Sequence, residues 1–368
     1  MNDEEIAGDI AANAAVVLSV DELVARVEAI FLKAGLPTDQ AAAVARVIAA
    51  GERDGAKSHG IYRVEGCLNT VRAGKVDATA IPELQDDGSA IVRVLAGGGF
   101  SCAAFELGLP ILAERARRFG LAALVVNDAA HFSALWYEVE AVAEKGLAAL
   151  AMCPSYSTVA PAGGSQPLLG TNPFAFGWPR TNRPPYVFDF ATSMAARGEI
   201  ELHRRAGTQI PEGWAVDADG IPTTDPDAAL AGAMLPFGGH KGSAISTMIE
   251  LLAGALIGDL SSSEALNALG ATSLVPTHGE LVLALDPVRF AAGRGTDPFQ
   301  QAESLFEGIL GQGARLPSTR RYTAREHAAA HGVTLTAAEM GQLDRFRALG
   351  STRFDLDTAL SGQLGPHV

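Results

Sequence analysis

The sequence predicts a mixed α/β protein in which one α/β lobe is flanked by helical segments from both ends of the chain. At 368 residues the chain exceeds the size at which a single core stops growing, so two lobes are expected. Short β-like runs begin near residue 89, whereas helical periodicity dominates on either side. We predict a flexible leader over 1–18, a helical domain from 19–80 and 305–368, and a mixed α/β domain over 81–304.

The composition excludes several classes of partner. A formal net charge of −14 would repel nucleic acids and anionic membrane surfaces, so we expect neither as a partner. The longest apolar stretch, residues 244–260, contains Glu250 and is too short to cross a bilayer. The acidic N-terminus lacks the basic and apolar regions of a secretory signal, which favours a cytoplasmic protein.

The cysteines Cys67, Cys102 and Cys153 lie far apart and form no CxxC pair. An odd number at this spacing disfavours both a disulfide framework and a zinc site. We therefore predict buried, reduced thiols and no metal ion.

The first elements after the leader are two helices that present a polar loop. Ser19 and Glu22 fit a capping box at the start of the first helix, which ends at Gly35. Thr38 starts the second helix, and the loop 53–60 follows it. Loops that carry this many polar side chains are often functional.

The middle of the chain alternates short β-like runs with helices. The predicted strands are 90–95, 122–127, 148–154, 185–189 and 281–285. The predicted helices are 103–118, 134–145, 241–260, 301–310, 324–331 and 337–349. No GxGxxG or P-loop motif accompanies them, so a dinucleotide would have to bind through another architecture.

The densest polar motif is Ser58-His59 with Arg63 one helical turn later. A histidine can deliver a proton to a developing amine or alkoxide, an adjacent hydroxyl can orient the ring, and an arginine can hold a carboxylate with two hydrogen bonds. These parts could reduce a 2-keto or 2-imino acid. A helix cap with a solvated histidine explains the same residues.

Two turns that follow predicted strands could meet a ligand. His131 follows the run 122–127, where free backbone N–H groups could face a nicotinamide or a pyrophosphate; a histidine satisfied within the core is the alternative. Thr171 lies in a turn between Gly170 and Pro173, and its hydroxyl could donate to a ligand, although turn chemistry alone explains the pattern.

Two carboxylates and a glycine-rich helix start complete the candidates. Asp189 ends a predicted strand and Glu199 follows; either could orient a catalytic histidine, although Asp189 could instead cap a helix. His240 and Lys241 follow two glycines at the start of a predicted long helix, whose positive end would accept an anion. A glycine-rich helix start without a ligand is the alternative.

Taken together and in order, five segments resemble the type-2 malate/L-lactate dehydrogenase family, and within it the Δ1-piperideine-2-carboxylate and Δ1-pyrroline-2-carboxylate reductases. The segments are SHGIYRV (58–64), HFSALW (131–136), GTNPFAFGWPR (170–180), VFDFATS (187–193) and LPFGGHKGSA (235–244). The resemblance implies a non-Rossmann NAD(P)-binding lobe with a mostly antiparallel sheet flanked by helices, and a helical lobe formed by both termini.

The resemblance also implies roles for particular residues. Ser58, His59 and Glu199 would form a catalytic relay with His59 as the proton donor, and Arg63 and Thr171 would bind the substrate. Family members more often have aspartate at the position of Glu199. The residues implied to bind the cofactor are His131, Phe132, Ser133, Ala134, Leu135, Asp189, Phe190, Ala191, Arg197, Gly198, His240, Lys241 and Arg315.

The implied reaction is hydride transfer to C2 of a cyclic 2-imino acid, usually from NADPH, with NADH as the alternative. It yields L-pipecolate or L-proline. Family members are typically homodimers whose active sites can draw on both subunits. Two other functions remain open: the same fold acting on an open-chain 2-keto acid or an N-methyl imine, and a catalytically silent NAD(P)-binding protein.

Overall fold

A seven-stranded sheet forms the centre of the fold in the computed structural model, which describes residues 15–350. The strands of the described chain are β1 (Ala15–Leu18), β2 (Glu83–Gln85), β3 (Ile91–Leu95), β4 (Leu121–Ala130), β5 (Ala148–Met152), β6 (Phe174–Trp178), β7 (Tyr186–Phe190), β8 (Ala215–Val216), β9 (Pro222–Thr223), β10 (Ala233–Met234), β11 (Thr277–Leu285) and β12 (Val333–Thr336). The sheet has the order β2-β3-β4-β11-β5-β6-β7.

Within this sheet only β3 and β4 pair in parallel, and every other neighbouring pair is antiparallel. The mixed α/β class and the mostly antiparallel sheet are therefore confirmed. The central strands β4 and β11 are apolar runs and largely buried, as expected where helices cover the sheet.

Helices surround the sheet and also form a separate layer. They are α1 (Val20–Lys33), α2 (Thr38–Arg53), α3 (Tyr62–Arg72), α4 (Ser101–Phe119), α5 (Trp136–Ala143), α6 (Arg197–Ala206), α7 (Pro226–Ala231), α8 (His240–Glu250), α9 (Ser262–Leu269), α10 (Pro287–Ala291), α11 (Pro298–Gly311), α12 (Thr319–His331) and α13 (Ala337–Leu349). The predicted helix 241–260 is too long, because α8 ends at Glu250 and a π-helical turn, Leu251–Ala255, follows it.

Both ends of the described chain meet in the helical layer. The Ser19 hydroxyl accepts the Glu22 N–H at 3.2 Å, which confirms the capping box at the start of α1. Leu23 and Phe31 of α1 pack in one core with Phe346 of α13, and β1 pairs with β12. The last four residues of the predicted leader thus form a strand, whereas 1–14 and 351–368 lie outside the described residues.

A buried ion cluster joins α2, α5 and α12. Asp54, directly after α2, accepts hydrogen bonds from Arg321 at 2.9 Å and from Arg325 at 2.5 Å. Glu140 of α5 pairs with the same two arginines, each at 2.5 Å. Burial alone would raise the pKa of Asp54, but hydrogen bonds from Arg325 and Arg53 bring that pKa below its usual value. This cluster fixes the helical layer against the sheet.

The predicted burial of the cysteines is confirmed. Cys67, Cys102 and Cys153 are all buried, and none of them forms a disulfide. Between residues 15 and 350, no helix is both long and apolar enough to pass through a bilayer.

Candidate active site

The loop between α2 and α3, which carries the predicted serine and histidine pair, is held tightly against α2. Glu52 of α2 accepts the Ile61 N–H at 3.0 Å and also pairs with Lys57. Gly60 is required at this contact, because a Cβ atom there would lie 2.0 Å from the Glu52 carboxylate. Contacts with α2 therefore hold the loop in place.

His59 contacts Ser58, one of its two predicted relay partners, and also Arg63, which was predicted to bind the substrate. Its Nδ1 lies 3.1 Å from the Ser58 hydroxyl, and its Nε2 lies 3.2 Å from the Arg63 guanidinium. Because a guanidinium can only donate, Nε2 is the acceptor and Nδ1 carries the proton towards Ser58. Burial, and then the Arg63 cation, lower the pKa of His59 to about 3. The ring is thus neutral at pH 7.

Arg63 has unused hydrogen-bonding capacity. Its Nε is buried without an acceptor, and among residues 15–350 no carboxylate forms an ion pair with it. A buried donor without a partner favours a ligand that supplies one, and a carboxylate matches the guanidinium fork. Tyr156 lies close by: burial raises the pKa of its phenol, and the Arg63 and Arg197 cations oppose that rise. Nothing in the sequence pattern singled out Tyr156.

The turn between β4 and α5 holds the predicted cofactor residues 131–135. Phe132 and Leu135 lie in the core, so only their backbone can face a ligand. The Ser133 hydroxyl donates to Glu138 at 2.5 Å. Burial, and then the neighbouring His278, His59 and Arg63, lower the pKa of His131. The turn therefore lies near the loop that carries the Ser58-His59 dyad.

Asp189, near the end of β7, caps helix α5 from another segment. Its carboxylate accepts the Trp136 N–H at 3.1 Å, but the N-cap residue of α5 is Leu135 and that of α6 is Ala196. The alternative interpretation of Asp189 as an N-cap residue is therefore not confirmed. Burial raises the pKa of Asp189 to about 6, against the opposing effects of that N–H and of Arg321. This bond brings the predicted cofactor segments 131–135 and 189–191 together.

Backbone hydrogen bonds join the other candidate segments. The Thr192 N–H donates to the Thr171 carbonyl at 2.8 Å, and the Phe237 N–H donates to the Thr192 carbonyl at 3.0 Å. Phe190 packs edge-on against Phe237, with ring centroids 5.7 Å apart. Three of the five family-like segments, 170–180, 187–193 and 235–244, therefore converge at one end of β7.

The start of α8 carries exposed cations. Gly238 and Gly239 have φ of 56° and 62°, a conformation that glycine adopts most readily. His240 and Lys241 follow at the positive helix end and are exposed, as is Arg315. The N–H groups of residues 239 and 241–243 donate to backbone carbonyls, which leaves the N–H groups of Gly238 and His240 and the exposed cations to meet an anion.

Two predicted residues stand apart from the dyad. Glu199 is exposed in the first turn of α6, and the hydrogen-bond partners of His59 in the described chain are Ser58 and Arg63. The part of Glu199 in the relay stays a prediction. Arg197, at the start of α6, donates to the Leu230 carbonyl at 3.3 Å, and burial lowers its pKa.

The family model for malate/L-lactate dehydrogenase matches residues 18–344, which is almost all of the described chain. The chain belongs to the malate/L-lactate dehydrogenase family. Among its relatives, Δ1-pyrroline-2-carboxylate reductase of Agrobacterium fabrum is 69% identical, over 90% of this chain and 97% of that one. The Δ1-pyrroline-2-carboxylate/Δ1-piperideine-2-carboxylate reductase of Pseudomonas aeruginosa is 59% identical, over 80% and 89%.

Solved structures of the malate/L-lactate dehydrogenase family share this fold. The crystal structure of Δ1-piperideine-2-carboxylate reductase from Pseudomonas syringae pvar. tomato has a TM-score of 0.86 and 41% identity, and the match covers 90% of this chain and 99% of that one. A putative malate/lactate dehydrogenase from E. coli, 24% identical, has a TM-score of 0.81 over 95% of this chain and 99% of that one. The family resemblance predicted from the five segments is confirmed.

Proposed function

We propose that this family member is an NAD(P)H-dependent reductase that converts Δ1-piperideine-2-carboxylate to L-pipecolate and Δ1-pyrroline-2-carboxylate to L-proline. The observation that carries the proposal is the pairing of His59 with an arginine whose Nε is buried and has no acceptor. Such a pair can hold the carboxylate of a 2-imino acid and leave a proton donor beside C2. The names of the relatives point to the same cyclic substrates.

The geometry suggests how substrate binding prepares His59. Arg63 would turn towards the substrate carboxylate, with Thr171 as a second contact, and so release the Nε2 lone pair of His59. With the Arg63 charge neutralised, one of the two causes that lower the pKa of His59 weakens, and Nε2 can carry a proton to the imine nitrogen. The bound nicotinamide supplies the hydride, and holding both reactants in place supplies much of the rate gain.

The cofactor is proposed to be NADPH, with its phosphates held by the N–H groups, His240 and Lys241 at the start of α8, and with Arg315 as a further contact. The 131–135 turn and Asp189 would face the nicotinamide end. The support is that these cations are exposed at a positive helix end, and that Asp189 links the two segments.

The decisive assay compares kcat/KM for the two cyclic imino acids and for pyruvate, each with NADPH and with NADH. We expect a cyclic imino acid with NADPH to give the highest value, because Arg63 can hold the carboxylate while His59 delivers the proton for C=N reduction. A higher value for pyruvate would assign the chain to 2-keto acids. Enhanced NADPH fluorescence without any turnover would identify a silent binding protein.

We further propose a homodimer in the cytoplasm. Ala244, Met248, Leu251 and Ala255 form an exposed apolar stripe along α8 and its π-helical turn, and such a stripe favours a partner surface. The free thiols suit a reducing compartment, which cell fractionation would check.

Light scattering tests the dimer: the wild type should have twice the mass of one chain, and the Leu251→Glu variant should have the mass of one chain. Ile221→Glu, at an apolar residue exposed to the same degree, should leave the dimer intact; a monomeric wild type would refute the dimer.

A further inference from the structure

A cluster of buried acids lies behind the dyad and is not used by the mechanism above. Glu280 of β11 is 0% exposed, Glu138 of α5 is 1% exposed and His131 is 5% exposed. The ligand-type atoms of these three side chains lie within 4.8 Å of one another. Both carboxylate oxygens of Glu280, Oε2 of Glu138 and Nε2 of His131 have no hydrogen-bond partner, so the unsatisfied atoms of the cluster face a common space.

The strand pairing beside Glu280 is irregular. The register of β11 against β4 shifts between His278 and Glu280, because two residues of β4, Asn127 and Asp128, lie opposite Gly279. The β-bulge is therefore in β4, where Asp128 has a φ of 55°. Bulges re-aim side chains and occur often beside active sites.

The two carboxyls cannot both be ionised in this setting. Within residues 15–350 no lysine or arginine pairs with either one, and the nearest base is His131, whose Nε2 lies 3.7 Å from Glu280. Bringing an unpaired carboxylate into such a site costs several kcal/mol, so the neutral acid is favoured. Burial raises the pKa of Glu138 to about 8 and that of Glu280 well above its usual value. In addition, the Asp189 carboxylate raises the pKa of Glu138, and Glu138 raises that of Glu280.

Among the other groups near the cluster, Arg63 on the dyad side of His131 is the cation, and within residues 15–350 it forms no ion pair with either carboxyl. Asp189 adds a negative charge near Glu138. The remaining groups are Ser133 in the turn before α5, Cys102 on α4, Cys153 after β5, His278 on β11 and His59.

We propose that Glu138, Glu280 and His131 form a buried proton reserve from which His59 draws the proton that it gives to the substrate. The inference rests on the proposed function, because it assumes that His59 is the donor. At pH 7 the neutral His59 ring carries its single proton on Nδ1, towards Ser58, and has none on Nε2. The acid pair is a neighbouring group that does hold a transferable proton, and His131 is the member of the cluster near His59 and Arg63.

The protons and electrons of the reaction balance in this scheme. The hydride carries two electrons to C2 and forms the C–H bond, while the C=N π pair moves to nitrogen and takes a proton from His59. His59 is reloaded from the acid pair by way of the space around His131. The pair regains its proton from water after the product leaves.

Infrared spectroscopy of the ligand-free protein tests the reserve without catalysis. At pH 7 we expect the C=O band of a protonated carboxyl group, which weakens as the pH rises past about 8 and is absent in the double variant Glu138→Gln/Glu280→Gln. The band should remain in His59→Asn. A spectrum with ionised carboxylates only at pH 7 would overturn the proposal, and so would one tightly bound metal ion per chain that Glu280→Gln removes.

Kinetics test whether His59 uses the reserve. We expect Glu280→Gln to lower kcat at pH 7 by about 10- to 100-fold, with little change in KM, and Glu280→Asp to restore much of it. Wild-type kcat should fall above about pH 8, and this fall should be lost in the double variant.

Glu144→Gln, at an exposed carboxylate just after α5, is the matched control and should behave as wild type. An unchanged kcat and pH profile in both single glutamine variants would refute the role. If His59→Asn keeps full activity while the infrared band persists, the proposed function fails and the acid pair does not.

Discussion

Replacing His59 by asparagine is expected to lower kcat by about 10²- to 10⁴-fold, with KM for the imino acid changed only slightly. The imidazole is the titratable group that Ser58 and Arg63 orient towards the site, and asparagine keeps polarity there but cannot shuttle a proton at neutral pH. Steady-state kinetics at saturating NADPH would measure both constants. His327→Asn, at an exposed histidine of α12, is the matched control.

Arg63→Ala should change KM more than kcat, which is the reverse of the effect expected for His59→Asn. It removes the carboxylate fork, so KM should rise by about ten- to a hundredfold while kcat changes less. Arg63→Lys should lie between, because it keeps the charge and loses the two-pronged geometry. Wild-type turnover in His59→Asn, or an unchanged KM in Arg63→Ala, would mean that the substrate binds elsewhere.

The dyad could be predicted from the sequence because its partners are local. Ser58, His59 and Arg63 lie within six residues of one another, so the turn and the following helix α3 bring them together whatever the rest of the chain does. The role of Asp189 could not be assigned in the same way. It caps α5 across the sheet, and that contact follows from the pairing of distant strands.

Strand β6 was missed for a physical reason. Phe174–Trp178 is short and follows Pro173, so the sequence indicated only a turn, yet β5 and β7 on either side complete its hydrogen bonds. The length of α8 was overestimated because residues 244–260 are mostly apolar, although Glu250 lies among them. That carboxylate accepts hydrogen bonds from Asn172 at 2.8 Å and from the Ser262 N–H at 2.9 Å, which ties the end of α8 to two neighbouring segments.

Ser318 lies in a backbone conformation that glycine adopts most readily. It has φ of 62°, in the left-handed region. Its hydroxyl donates to the Val187 carbonyl at 2.8 Å and accepts from Arg321 at 3.2 Å, and these bonds help to hold it there. Val187 is distant in sequence, so the first of these bonds follows from the fold.

The buried acids were beyond sequence reasoning. Glu138 lies in a helical segment beside Glu140, where a solvated face is the ordinary interpretation. Glu280 interrupts an apolar strand, which is a signal that something unusual is buried, but neither partner is near it in sequence. Strand pairing and the packing of α5 on the sheet bring the two carboxyls together.

The largest effect on stability is expected at Asp54. Asp54→Ala should lower the free energy of unfolding by about 3–5 kcal/mol, because it leaves Arg321 and Arg325 buried without one of their two carboxylates. Urea denaturation would measure the loss as a lower midpoint. Asp344→Ala, which breaks the exposed pair between Arg26 and Asp344, is the matched control and should cost at most about 1 kcal/mol.

The pH dependence of the same cluster gives an independent check. The folded-state pKa of Asp54 lies below its unfolded value, so its contribution is complete above about pH 4 and is lost as the pH falls through the folded-state pKa. Wild type should therefore lose stability on acidification more steeply than Asp54→Ala, and the two curves should converge at low pH. Parallel curves would show that the arginines are held by Glu140 alone, and that Asp54 contributes no net attraction to the contact between the helical layer and the sheet.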